Sequence, residues 1–122
     1  MSEPRIAIVA SGGANIASLQ FALQRLGPSS AVTADPDEIR AASHVILPGV
    51  GAAADAMARL QRLRLDSVIP TLRQPVLGIC LGMQLLFEAS DEGDAHCLGI
   101  IPGRAARFAP AAAERSGWNC AP

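Results

Sequence analysis

Three short apolar runs, each closed by glycines and followed by a helical pattern, constrain this chain more than any other feature. Arg5–Ala10 runs into Ser11-Gly12-Gly13, His44–Leu47 into Pro48-Gly49-Val50-Gly51, and Val76–Ile79 into Gly78-Ile79-Cys80-Leu81-Gly82. Apolar, β-branched runs bounded by turn residues read as buried strands. Ile16, Leu19, Leu23 and Leu26 then recur at helical steps, with Asn15 as N-cap and Gly27-Pro28 as the stop. Ala52–Leu63 carries Met57, Leu60 and Leu63 on one face, and Leu81–Glu88 follows the third strand directly as a helix. Weaker signals suggest a strand at Ala31–Thr33, a helical turn at Asp37–Ala42 and a helix at Asp66–Arg73 before Pro75. A polar loop spans Ser90–Asp94, and two further strand candidates, Leu98–Ile101 and Arg104–Phe108, flank Pro102-Gly103.

Strands alternating with helices predict an α/β fold: an open, mostly parallel sheet with helices on both faces. In such sheets ligands bind at the carboxyl ends of the strands. The turns Ser11–Asn15, Pro48–Gly51 and Gly78–Gly82 are therefore expected to converge. The 122 residues make one domain at most (1–122), and an apolar share of 50% can fill its core.

Charge and residue usage exclude several classes. A net charge of −1 argues against an electrostatic nucleic-acid or membrane binder. All 10 basic residues are Arg, so a Walker-type phosphate loop and Schiff-base chemistry are excluded within these residues. No apolar run is long enough to span a bilayer, and Met1–Pro4 does not look like a leader, so a reducing cytoplasm with free thiols is the expectation. Cys97 and Cys120 have no metal-type spacing with each other or with His44 and His96, so no metal and no cofactor is expected.

The chemistry concentrates at Cys80. Gly78-Ile79-Cys80-Leu81-Gly82, between a buried strand and a helix, is the thiol form of the nucleophile elbow. Glycines on either side let strand and helix pack around a sharp turn that pushes the sulfur out above the sheet. The amino end of the next helix favours thiolate over thiol, and the Leu81 N–H can meet a developing oxyanion. Gln84 lies four residues on, on the same helical face, where an amide can recognise a small polar ligand. Gly49 and Gly51 allow the Gly49–Val50 peptide to rotate and add an N–H to the same hole. The plainer readings are a buried inert thiol at Cys80, a solvated Gln84 and an ordinary turn at Gly49. Gly12-Gly13-Ala14-Asn15 lacks the third glycine of a dinucleotide loop. His44 and His96 read as surface or core filler, and Trp118 as an exposed partner contact.

The segments Leu47-Pro48-Gly49-Val50-Gly51 and Gly78-Ile79-Cys80-Leu81-Gly82-Met83-Gln84-Leu85-Leu86-Phe87-Glu88 resemble the class I glutamine amidotransferases. With Gly12–Ile16, Leu98–Gly103 and Gly117-Trp118-Asn119, the resemblance narrows to the glutaminase subunits of imidazole glycerol phosphate synthase and runs from Arg5 to Asn119. It implies a flavodoxin-like fold in which Cys80 attacks the side-chain amide of glutamine. Leu81 N–H and the Gly49–Val50 segment would hold the oxyanion, and Gln84 would help bind the substrate. It further implies a partner, a (β/α)8 cyclase subunit of histidine biosynthesis that receives the ammonia, faced by Asn15 and Trp118.

Departures from the family pattern bear on activity. The family's His-Pro-Glu motif, which completes its triad, does not occur in these residues, and Glu114-Arg115-Ser116 replaces the usual Pro-His-Met. The first loop reads Ala10-Ser11-Gly12-Gly13-Ala14-Asn15. A fold incomplete at its C-terminus, with an exposed sheet edge and little or no glutaminase activity, is therefore expected. Three other readings are another class I amidotransferase, an inactive binding module that kept the elbow, and a cysteine hydrolase acting on peptides. Ile79 and Leu81 supply neither the acidic nor the His neighbour that the last would need.

Overall fold

The computed structural model describes residues 3–11, 16–91 and 94–106. Four strands, β1 (Arg5–Val9), β2 (Ser29–Thr33), β3 (His44–Gly49) and β4 (Val76–Cys80), form an all-parallel sheet in the order β2-β1-β3-β4. Helices α1 (Ile16–Leu26), α2 (Pro36–Ala41) and α3 (Ala53–Arg62) connect them. The order reverses between β1 and β3, where an open α/β sheet opens its crevice.

Strand alternation explains the two-sided core. Ala7, Val9, Val45 and Leu47 face one way and pack with Ile39 of α2 and Ala53, Ala56, Met57 and Leu60 of α3. Ile8 and Ile46 face the other way and meet Leu23 of α1, with Ile6, Ile16 and Leu19 around them. Helices therefore cover both faces, as the alternating pattern predicts. α1 ends at Gly27, whose φ of 106° suits glycine and whose N–H donates to Leu23 O. Asp35 caps α2 by accepting from the Asp37 N–H at 2.9 Å, with Pro36 opening the helix. The Gln74 side-chain amide closes its other end, donating to the carbonyls of Ile39 and Ala42.

Two predicted helices change on folding. Asp66–Arg73 yields only a 3-10 turn at Ile69–Thr71, because Pro70 has no N–H to donate and disfavours helix at the residue before it. The helix expected over Leu81–Glu88 stops early: α4 covers Leu81–Leu85 and β5 begins at Phe87. The carbonyls of Leu85, Leu86, Phe87 and Glu88 accept from Leu98, Ile101, Gly99 and Cys97, so the returning chain takes the bonds a longer helix would have used. A second sheet results, with β5 (Phe87–Ser90) between β6 (Ala95–His96), antiparallel, and β7 (Ile101–Ala105), parallel. Arg104 on β7 binds Asp91 and Asp94 across the turn, at 2.6 Å and 3.0 Å, so the acidic loop expected to be solvated is partly tied down. Of the expected strand Arg104–Phe108, Arg104 and Ala105 belong to β7, Ala106 lies beyond it, and Arg107 and Phe108 lie outside the described residues.

β4 pairs only with β3 among the described strands. Its register with β3 puts Leu77 and Ile79 on the α1 side of the sheet, where they are 57% and 36% exposed.

Candidate active site

Backbone packing builds the site, and its tightest contacts run between β3 and the start of α4. A Cβ on Gly82 would lie 1.8 Å from Leu47 O, and one on Gly78 would lie 2.7 Å from the Met83 α-carbon. Only glycine fits at either position, so the elbow sequence closes the first turn of α4 directly onto β3 and β4. Between them, Cys80 takes φ 54° and ψ −121°. That conformation is rare for a residue with a side chain and marks a sharp reversal at the strand end. The sulfur is not buried in the core: Cys80 is exposed.

The Pro48–Gly51 segment stands directly beside it. Gly49 is the register partner of Cys80, and a Cβ on Gly49 would touch the Gly82 nitrogen at 3.0 Å and the Leu81 Cβ at 3.1 Å. Pro48 and Gly49 belong to β3 rather than to the turn expected there. Pairing of β1 with β3 ends at Ile46, and Val45 N–H donates towards β4, so strand alternation turns the Pro48 nitrogen to a side with no acceptor to serve. The buried Ser11 hydroxyl donates to Pro48 O at 3.0 Å and ties the end of β1 to this loop. Val50 follows, exposed, and Gly51 has φ 90°, a value that favours glycine.

Pro48–Gly51 and Gly78–Gly82 therefore meet as their positions in the sequence imply, with Ser11 beside them; Gly12–Asn15 lie outside the described residues. Gln84 lies half-buried on α4, and its side-chain oxygen accepts from the Ser90 hydroxyl at 3.2 Å. Sequence reasoning missed Ser90 because the loop assigned there is the end of a strand. His44 sits at the opposite end of the sheet, bonded to Ser43 Oγ at 2.9 Å. Five strand residues separate it from the Cys80 level, about 16 Å at strand rise, so it cannot serve the thiol. His96 is exposed on β6, paired with Ala89 of the second sheet. Asn15 and Trp118 lie outside the described residues. Among the described residues no group of His, Cys, Asp and Glu could hold a metal, and no helix is long and apolar enough to cross a membrane.

Over residues 8–111 the sequence matches the family model for "Glutamine amidotransferase class-I". The chain belongs to the class I glutamine amidotransferases. It is 50% identical over 117 residues to "Imidazole glycerol phosphate synthase subunit HisH" of Xylella fastidiosa (strain Temecula1), covering 93% of this chain and 58% of that protein. The protein of the same name from Xanthomonas campestris pv. campestris (strain 8004) is 49% identical with the same coverage. The chain thus spans 58% of the length of these curated relatives. The fold matches a solved structure described as "Crystal structure of glutamine amidotransferase", with a TM-score of 0.71 and 17% identity over 84% of this chain and 56% of that one. The order β2-β1-β3-β4 is thereby the flavodoxin-like sheet of a class I amidotransferase.

The second described thiol offers an internal standard. Cys97 packs half-buried against the core, and burial pushes its thiol above the ordinary value. Iodoacetamide at pH 7.5 is expected to modify Cys80 well before Cys97, read by mass spectrometry after cleavage at Glu88. Modification of Cys97 should rise only at alkaline pH. Its thiol loses its proton in the unfolded chain first, so the Cys97 contribution to stability falls as pH rises above 9.0. Equal labelling of both thiols at neutral pH would contradict the exposed elbow.

Proposed function

We propose that this chain carries the nucleophile half of a glutaminase site that releases ammonia from glutamine for a cyclase subunit of imidazole glycerol phosphate synthase. Cys80 adds its thiolate to the δ-carbonyl carbon of glutamine. The oxyanion forms between the Leu81 N–H and a rotated Gly49–Val50 peptide. The departing amide nitrogen takes up a proton from solvent, equivalent to the one the thiol gave up, so collapse of the tetrahedral adduct expels ammonia and leaves a γ-glutamyl thioester. Water hydrolyses the thioester to glutamate and the free thiol. Gln84 holds the substrate, and Asn15 and Trp118 face the cyclase, which takes the ammonia in the cytoplasm.

The observation that carries this reading is the backbone of Cys80. A positive φ on an exposed cysteine, clamped by two glycines that admit no side chain and set level with Gly49, is costly and serves presentation of the sulfur. The class I glutamine amidotransferase family supports glutamine as the substrate, and the similarity to the HisH proteins supports a partner subunit.

A second reading, an inactive amidotransferase-like binding module, is favoured by one observation. Among the described residues, His44 lies at the opposite end of the sheet from Cys80 and cannot serve its thiol. The purified chain with the cyclase added is expected to release glutamate at least ~10³-fold more slowly than a HisH subunit with an intact triad. It should nevertheless be modified at Cys80 by a diazoketone analogue of glutamine, with saturation. Full-rate glutamate release would refute the first expectation. Absence of saturable Cys80 modification would refute the glutaminase reading and leave the binding module.

A further inference from the structure

Three buried hydroxyls occur among the described residues, on Ser11, Thr33 and Ser90. Ser11 bonds the Pro48 carbonyl, and Thr33 accepts the Asp35 N–H at 3.0 Å. Ser90, 1% exposed, donates to Gln84 Oε1 at 3.2 Å. Its register neighbours on β6 and β7 are Ala95 and Ala105, so alanine would suit the packing at this position without placing a polar atom out of water. The hydroxyl that bonds Gln84 is a group alanine would lack there.

We propose that Ser90 is a positioning residue that orients the Gln84 amide. An amide has one accepting and one donating end, and the bond from Ser90 holds the accepting end. With its oxygen engaged by Ser90, the Gln84 NH2 is the end left to meet a ligand. The site therefore reads an acceptor at that point, a carbonyl or carboxylate oxygen of the bound amino-acid amide. Without the hydroxyl, Gln84 loses the bond that holds its side chain in place, and its amide can swing away from the ligand. This inference rests on the glutaminase reading.

The test uses the full chain and the diazoketone analogue of glutamine, following Cys80 adduct formation against analogue concentration. Ser90→Ala is expected to raise the half-saturating concentration about ten-fold, the worth of one well-placed hydrogen bond. The limiting rate and the rate with iodoacetamide should change little. The pair Ser90→Thr and Ser90→Val, equal in shape, isolates the hydroxyl if Ser90→Ala folds poorly: Thr should stay within about three-fold of wild type and Val should resemble Ala. In a Gln84→Met background, Ser90→Ala should add nothing further. A Ser90→Ala effect that persists undiminished in that background, or Thr and Val behaving alike, would overturn the assignment of Ser90. A wild-type chain that shows no saturation would instead overturn the glutaminase reading and this inference with it. Saturation in the wild type with no Ser90→Ala shift in folded protein would overturn this inference alone.

Discussion

Gly82→Ala is expected to unfold the protein or cost more than about 4 kcal/mol, most of the margin a domain of this size holds. The expectation runs against local propensity. Gly82 lies in α4, and alanine is favoured over glycine in a helix by about 1 kcal/mol. Packing reverses the sign. The added Cβ would sit 1.8 Å from Leu47 O, 2.7 Å from Leu47 C and 3.2 Å from Pro48 C. These are backbone atoms of β3, held between β1 and β4, and they have no rotamer to escape into. α4 would have to lift off the sheet, drawing Leu81 and Leu85 out of the core. Gly27→Ala is the matching control, since its Cβ meets nothing within 4 Å and only φ 106° opposes it. About 1 kcal/mol is the expected loss there. Urea unfolding followed by circular dichroism compares the two, and a Gly82→Ala midpoint equal to that of Gly27→Ala would mean that α4 does not rest on β3.

Much of this architecture could be read from the chain because its strands are short, β-branched and closed by glycine. β1, β3 and β4, the order of connections and the meeting of their carboxyl ends follow from that pattern. The difference at Leu81–Glu88 has its cause in pairing that no local window contains. Met83–Glu88 has good helix formers, yet Leu85 to Glu88 give their carbonyls to Cys97–Ile101, residues that become neighbours only after the chain returns. Asp66–Arg73 differs for a local reason, since Pro70 lies inside it. Pro48 reads as a breaker, yet it lies in β3 because β1 has already stopped pairing.

The site was legible for a similar reason: its residues lie where a strand changes into a helix, and glycine spacing records that change. Gly78, Cys80 and Gly82 are visible in one glance at the sequence, and so is Gly49, although its alignment with Cys80 needs the register of β3 and β4. Ser90 was not legible, since its role depends on β5 bringing it back under Gln84. The two histidines were legible only as unlikely partners for the thiol, and the sheet makes that geometric for His44 by placing it at the far end.

Cys80→Gly is expected to abolish the proposed chemistry and to stabilise the fold. Any thiol-dependent glutamine hydrolysis should fall by at least ~10³-fold, with no adduct formed by the diazoketone analogue. Stability should move the other way. φ 54° with ψ −121° costs a residue bearing a Cβ about 1–3 kcal/mol, and glycine reaches it without strain. Glycine loses about 0.5–1 kcal/mol of this through its freer unfolded chain. The exposed sulfur contributes little burial to forfeit. A net gain near 1 kcal/mol remains, a rise in Tm of about 4 °C. Cys80→Ser separates the two effects: it removes the thiol, keeps the Cβ, and should leave Tm within about 1–2 °C of the original. If the glycine variant melts below the serine variant, the elbow stores no strain and its shape is merely tolerated. If it melts above, the energy spent on holding Cys80 is spent for the sulfur it presents.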